Sequence, residues 1–363
     1  MIAGLALIFV SLASLLMPSK AELVFAGDAM QHQSQLDAAR TAKGDFDYSD
    51  CFAAIEPYIK SADFAVVNLE APLGGKPYSG YPMFCAPDAY AEALINAGFD
   101  FFLTANNHML DRRDKGLRRT LSVLDSLNVP YVGVYADSQH RDSLLPKIVY
   151  VKGFRIAMLN YTYGTNGIPV QGDVVVDYID YPLIERDVLK AREFGAEIVC
   201  VSLHWGEEYR LLPSVYQKRL ADKLTDLGVD LIIGSHPHVI QPMEMRHDKN
   251  GKPVFLVYSL GNFISGMRTV DTRGGALARV ILERDSLGVA RVGDASYRMV
   301  FTVPPGHGKN NYHLIPAEHS GPQTVESWRK GFYNNAIRVF DRHNFKVSAD
   351  TIPISGYVSD SYI

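Results

Sequence analysis

The chain has 363 residues, 47% hydrophobic and 21% charged, a composition that excludes a disordered chain, a coiled coil and a collagen-like fibre. Lys and Arg number 36 against 40 Asp and Glu, so no basic surplus is available to neutralise a phosphate backbone and nucleic acid is not expected as a partner. With 29 Gly and 19 Pro, turns are frequent and the elements between them short.

The first segment, residues 2–17, is an unbroken run of small and apolar residues interrupted only by serines. Pro18 closes it, and Ser19-Lys20-Ala21 has the small-x-small form of a cleavage site. Residues 1–21 therefore read as a secretory signal peptide, short for a membrane span of about 20 apolar residues. No Lys or Arg precedes the run, which leaves an uncleaved anchor as the alternative. Either way the protein is expected in the periplasm or cell envelope. Export makes the cysteines informative, and Cys51, Cys85 and Cys200 are too few for a disulfide scaffold. Cys200 lies in an apolar run and reads as a buried thiol; a Cys51–Cys85 disulfide stays open.

From Glu22 onward, β-rich apolar runs alternate with segments of helical period. The runs are Leu23-Val24-Phe25, Phe64-Ala65-Val66-Val67, 99–103, 155–159, 197–203, Leu231-Ile232-Ile233 and 254–257, and continuous apolar strands of this kind are buried on both faces. Between them, Leu117, Leu121, Leu124 and Leu127 repeat at helical spacing. So do Leu220, Ala221, Leu224 and Leu227, with Gly228 as a stop. The alternation predicts an α/β sandwich with helices outside. After Phe263 the pattern changes to two antiparallel strands, 276–282 and 288–303, and then a helix over 326–342. The expected organisation is a leader at 1–21, one α/β domain at 22–315, and a C-terminal helix and tail at 316–363.

Function is legible at the carboxyl ends of the strands. The runs lead into Asp28, into Asn68-Leu69-Glu70, into Asn106-Asn107-His108 with Asp111, into His204-Trp205-Gly206-Glu207-Glu208, into His236-Pro237-His238, and into Asn262. Ligands of open α/β sheets bind outside these ends. Separate strand ends thus offer oxygen and imidazole ligands, and no thiolate, to one crevice. That set suits one or two divalent ions such as Mn, Fe or Zn. Each fragment alone has a plainer explanation: a turn or helix cap for Asp28, a turn for Asn106-Asn107-His108, a hydrogen-bonded core histidine for His204. Their conjunction argues for a site.

These motifs, together with Gly27-Asp28-Ala29-Met30, His204-Trp205-Gly206-x-Glu208-Tyr209, Gly234-Ser235-His236-Pro237-His238-Val239 and Tyr258-Ser259-Leu260-Gly261-Asn262-Phe263, resemble those of the CapA family. These are bacterial capsule or poly-γ-glutamate synthesis proteins with a calcineurin-like metallophosphoesterase fold. The resemblance covers roughly residues 23–314 and implies an α/β/β/α sandwich with helices outside. It implies Glu70 as a bridging carboxylate, Asn107, His204 and His236 completing one metal site, and Asp28 and His238 belonging to the other. His108 would be the general acid of a metal-assisted in-line displacement at phosphorus. Asp111 would either orient that imidazole or cap the following helix.

Two positions depart from the metallophosphoesterase pattern. Met30 stands where a His ligand is usual; His32 either reaches in from the same loop or is a solvated loop residue. Arg112 and Arg113 stand where the family commonly has an aromatic residue and Gly, and they either face an anionic substrate or lie exposed at a helix start. The loop 161–167 serves equally well as a substrate wall or a plain turn, and Trp205 reads as packing. The expected function is capsule or poly-γ-glutamate biosynthesis or export, as a metal-dependent hydrolase of a phosphate ester or related bond. The expected partners are an anionic polymer or phosphate-containing substrate and a membrane-bound synthase complex. The alternative is a non-catalytic envelope component that binds the polymer or the synthase.

Overall fold

The computed structural model describes residues 20–354, so the expected leader lies, up to residue 19, outside the described residues. Lys20 and Ala21 already belong to the strand Lys20–Ala29, where they pair with Glu283 and Leu282.

The apolar runs form the centres of two sheets. In the first, the order from edge to edge is His313–Pro316, Ala290–Val303, Gly274–Arg284, Lys20–Ala29, Phe64–Leu69, Phe101–Leu103 and Tyr131–Val132. The four strands from Lys20–Ala29 outward are parallel and the other three antiparallel. In the second, the order is Met243–His247, Pro253–Val257, Leu231–Ser235, Ile198–His204, Phe154–Thr162 and Lys147–Val151. Its four inner strands are parallel, with an antiparallel strand at each edge.

The period-two alternation of the first sheet divides the core. Leu23, Phe25, Val66 and Phe101 face the second sheet and join Met158, Cys200 and Ile232 in one apolar cluster. Their neighbours Val24, Ala26, Ala65, Val67 and Phe102 face the other way, onto Ile59, Leu94, Leu117, Leu121 and Leu124. Those residues come from the helices Glu56–Lys60, Asp88–Asn96 and Arg113–Ser126. The helices Tyr181–Glu193 and Val215–Leu227 cover the second sheet through Ile184, Val188, Leu220 and Leu224. The layers are helix, sheet, sheet, helix, as expected. Both periodic leucine segments are helical, and Gly228 ends the second at φ 89°, a conformation glycine adopts without strain.

The C-terminal helix runs over Glu326–His343 and packs Phe332 and Phe340 into the inter-sheet core. Beyond it, Ser348–Ala349 pairs with the strand Ala290–Val303. Cys51, Cys85 and Cys200 are buried free thiols, so the open question of a Cys51–Cys85 bridge resolves to no disulfide. Among the described residues no helix is long and apolar enough to cross a membrane.

Arg279, on the first sheet, joins Glu22 and Asp350, which lie near the two ends of the described residues. It is 2% exposed and pairs with Glu22 at 2.5 Å and with Asp350 at 3.1 Å. It also donates to the Ser61 hydroxyl at 2.7 Å and lies over the Tyr58 ring. Tyr58 in turn donates to Asp350 at 2.6 Å. Arg279→Ala leaves the Asp350 carboxylate buried without its cation and should cost about 3–5 kcal/mol. Arg291, paired with Glu283 on the surface, should cost no more than about 1 kcal/mol when replaced by Ala. Urea denaturation of the two variants measures both, and equal midpoints would contradict the role given to Arg279.

Candidate metal centre

Each strand end delivers its side chain to the same edge of the sandwich. Gly27 interrupts the pairing register between Lys20–Ala29 and Phe64–Leu69. A Cβ there would lie 1.9 Å from the Gly261 carbonyl oxygen, so only glycine lets the strand close against the loop before Asn262. Asp28 comes next, its backbone N–H donating to Gly261 O at 3.0 Å. Glu70 directly follows the neighbouring strand and Asn68 lies in register with Asp28. In the second sheet Ser235 is in register with His204, and the turn His236-Pro237-His238 begins immediately after. His236 at φ 97° and His238 at φ 58° are both left-handed, a strain that non-glycine residues carry mostly at functional sites.

The structure brings together all of the expected metal ligands. Asp28, Glu70 and His204 are 0% exposed; Asn107, His236 and His238 are buried. His204 Nε2 lies 2.7 Å from Asn107 Oδ1 and 3.4 Å from Glu70 Oε1. His238 Nδ1 lies 3.2 Å from Asp28 Oδ2, and its Nε2 lies 3.8 Å from Glu70 Oε1. The His236 ring is 4.8 Å from that of His204 and 5.9 Å from that of His238. Glu70 touches both histidine groups, the position of a bridging carboxylate.

The chemistry of this set fits a divalent cation. Glu70 Oε1 and His236 Nδ1 are buried without a hydrogen-bond partner among the described residues, and buried polar atoms are normally satisfied. Burial, and then the Asp28 charge, hold the Glu70 carboxyl well above the usual carboxylate range. Burial lowers His204 far below the usual imidazole range and His236 to about 3, with neighbouring imidazoles adding to both. A cation offsets the repulsion between the carboxylates and accepts the lone pairs of neutral imidazoles. Oxygen and imidazole ligands without thiolate match Mn, Fe or Zn.

A ring of amides fixes the orientation of these groups. Asn68 donates to Asp28 Oδ1 at 2.8 Å and accepts from Asn106 at 3.3 Å. Asn262 Oδ1 lies 3.0 Å from His238 Nδ1, while its Nδ2 donates to Thr272 O. His238 Nδ1 faces acceptors, so it carries the proton and leaves the Nε2 lone pair on the Glu70 side. Asn107 Nδ2 donates to Asn166 Oδ1 at 3.0 Å, which turns the Asn107 oxygen toward His204.

His108 stands beside the centre with a different set of contacts. Its Nδ1 lies 2.8 Å from Asp111 Oδ2, which also accepts from the Phe84 backbone N–H at 2.7 Å. Burial raises the Asp111 carboxyl although His108 and Phe84 oppose the shift. Of the two roles open to Asp111, orienting the imidazole is therefore the one observed; the N-cap of the next helix is Arg112. Nδ1 faces a carboxylate and carries the proton, which leaves Nε2 for proton exchange.

The remaining positions separate clearly. His32 Nδ1 accepts from the Gly266 N–H at 3.1 Å and lies 3.3 Å from Gln35 Oε1. Its ring sits edge-on to Phe84 at 5.2 Å. Burial lowers its pKa to about 4. Arg112 is half-buried and Arg113 exposed. Trp205 is buried and donates to Tyr258 O at 2.9 Å, a packing role as expected. The loop 161–167 contributes two site residues that the sequence left undecided. Tyr163 lies with its ring 4.4 Å from that of His236, and Asn166 reaches both Asn107 and His108. Their signals in the sequence were the loop's place after a strand and its aromatics and glycines, which suit a plain turn equally well.

Comparisons with known proteins agree with this architecture. Over 254 residues the chain is 30% identical to the capsule biosynthesis protein CapA of Bacillus anthracis, covering 66% of this chain and 60% of that one. It is 31% identical over 245 residues to the PGA biosynthesis protein CapA of Bacillus subtilis, covering 65% and 62%. The chain thus spans less than two thirds of the length of these relatives. Haemophilus influenzae NAD nucleotidase superposes with a TM-score of 0.51 at 15% identity, over 92% of this chain and 57% of that one. This likeness shows the fold, a metallophosphoesterase-like sandwich. The bacterial capsule synthesis protein family PGA_cap matches residues 22–267, more than half of the chain, and the chain belongs to that family.

Proposed function

We propose that this protein is an exported hydrolase of capsule or poly-γ-glutamate biosynthesis, cleaving a phosphate ester or related bond. The observation that carries the reading is the convergence of buried carboxylates and imidazoles from both sheets, with the His108–Asp111 pair alongside. Asp28, Glu70, Asn107, His204, His236 and His238 would hold one or two divalent cations. A bound cation would supply Lewis acidity, taking up charge that develops on a transferring phosphoryl group. The chain's own residues do the rest. Asp111 holds the His108 ring by Nδ1, and His108 in its doubly protonated form gives the Nε2 proton to the leaving oxygen as water adds at phosphorus and the ester P–O bond breaks. Tyr163 forms a wall beside His236, where an aromatic face restricts the approach of water and substrate.

A second reading is supported by Met30, which is buried and stands where a histidine ligand is usual. A centre short of one ligand favours weak turnover, and the protein would then act as an envelope component that binds the anionic polymer or its membrane-bound synthase. Both readings place the protein in the periplasm or cell envelope. N-terminal sequencing of protein from the native envelope should begin at or near Glu22, a start that keeps the Glu22–Arg279 pair. A chain beginning at Met1 and fractionating with the cytoplasm would contradict export.

Elemental analysis of the purified protein should find divalent metal, and His236→Ala should contain less of it. Unchanged metal content in that variant would remove His236 from the ligand set. His108→Ala should keep its metal while turnover of an alkyl phosphoester falls by about 10²–10⁴-fold, the usual worth of a general acid. An ester whose leaving group needs no proton should lose far less. Full metal content with no turnover of any phosphoester tested would favour the binding reading over the hydrolase.

A further inference from the structure

The loop after the strand Ile198–His204 carries Glu207 and Glu208, and the two behave differently. Glu207 is exposed and lies 3.5 Å from Arg210. Glu208 is exposed as a residue, yet a carboxylate oxygen of it and one ring nitrogen each of His236 and His238 lie within 4.8 Å of one another. A separate group of the same kind joins Asp28, Glu70 and His238, so the two share His238.

The backbone holds Glu208 there. Tyr209, the next residue, is left-handed at φ 64° and donates its backbone N–H to Pro237 O at 2.8 Å. That bond latches the loop onto the turn that carries both histidines. Tyr209, His236 and His238, three of the left-handed non-glycine residues, thus lie on the two segments that meet at this latch, and strain of this kind persists only where the surroundings hold it. The Tyr209 ring lies 6.3 Å from that of His238. His236 Nδ1, buried and without a partner among the described residues, is a second sign that a cation belongs here.

Glu208 lies beside a group that is itself short of a donor. Asp28, Glu70 and His238 form a three-residue group, and Met30 offers only a thioether, too soft for a hard divalent ion. His32 uses Nδ1 on the Gly266 N–H. We propose that Glu208 is a metal ligand of this protein, joining His236 and His238 to hold a divalent cation on the open side of the centre. The proposal rests on the reading that the centre holds divalent cations.

Titration of the chelator-treated full chain with Mn²⁺, followed by calorimetry and by the electron paramagnetic resonance of free Mn²⁺, tests it. Loss of a group that merely orients a ligand costs about 10–100-fold in affinity, so Glu208→Gln should weaken at least one class of Mn²⁺ site by about 10-fold or more. Glu207→Gln should bind as the wild type does. Melting without metal should be the same in all three proteins, which separates a lost ligand from a damaged fold. Glu208→Gln with the isotherm of the wild type would overturn the assignment and leave the cation-centre reading standing. No Mn²⁺ binding by any of the proteins would overturn both.

Discussion

Two carboxylates that solvent does not reach, Asp28 and Glu70, set the terms for the rest of this molecule. Buried in such proximity, both cannot remain charged without a compensating cation or a proton. The imidazoles of His204 and His236 are poor sources of such charge, because burial lowers the pKa of both. The cluster is therefore rich in lone pairs and poor in protons to share, the opposite of an ordinary structural network, in which donors and acceptors balance. A cation is the simplest partner for such a set, and the absence of sulfur among its donors narrows the choice to ions that prefer oxygen and nitrogen.

The groups around the cluster make sense as a supporting frame. Asn68, Asn166 and Asn262 place amides against the ligands, and Asn106 holds Asn68. An amide presents a donor and an acceptor at fixed angles and carries no charge, so it orients a carboxylate or an imidazole without altering the electrostatic balance. Asp111 is the exception. It lies on the Nδ1 of His108, where a negative charge fixes the tautomer of the ring. Under the proposed function, the amide-supported groups would bind a cation and His108 would transfer a proton.

Much of this was legible in the sequence for a physical reason. A parallel strand buried on both faces is a nearly pure apolar run, so the polar residues at its carboxyl end stand out, and those ends share one edge of the sheet. Asp28, Glu70, Asn107, His204, His236 and His238 were readable in this way. Helices with one covered face, such as Arg113–Ser126 and Val215–Leu227, were readable from leucine spacing. Short strands were not: Asn262–Ile264, His313–Pro316 and Ser348–Ala349 owe their conformation to the sheet they join, and too few residues alternate to show a period. Tyr163 and Asn166 were equally hidden, since a loop's path is set by tertiary contact. The two uses of Asp111 are indistinguishable by spacing, because an i+3 carboxylate suits a cap and an imidazole alike.

The ligand set is also divided between the sheets. Asp28, Glu70 and Asn107 come at or after strands of the first, whereas His204, His236 and His238 come at or after strands of the second. The apolar interface between the layers is non-directional and tolerates small displacements of one sheet against the other. A cation held by both halves does not, because its ligands must converge within a few tenths of an ångström. An ion bound to the native state alone therefore stabilises the packing of one sheet on the other by mass action. The backbone is prepared for it: Gly27 lets the first sheet close at its bulge, and the left-handed His236 and His238 turn the second toward the same point. Strain on one side and a close backbone approach on the other are costs that the apolar core must offset, and they occur together only at the edge where the two ligand groups meet.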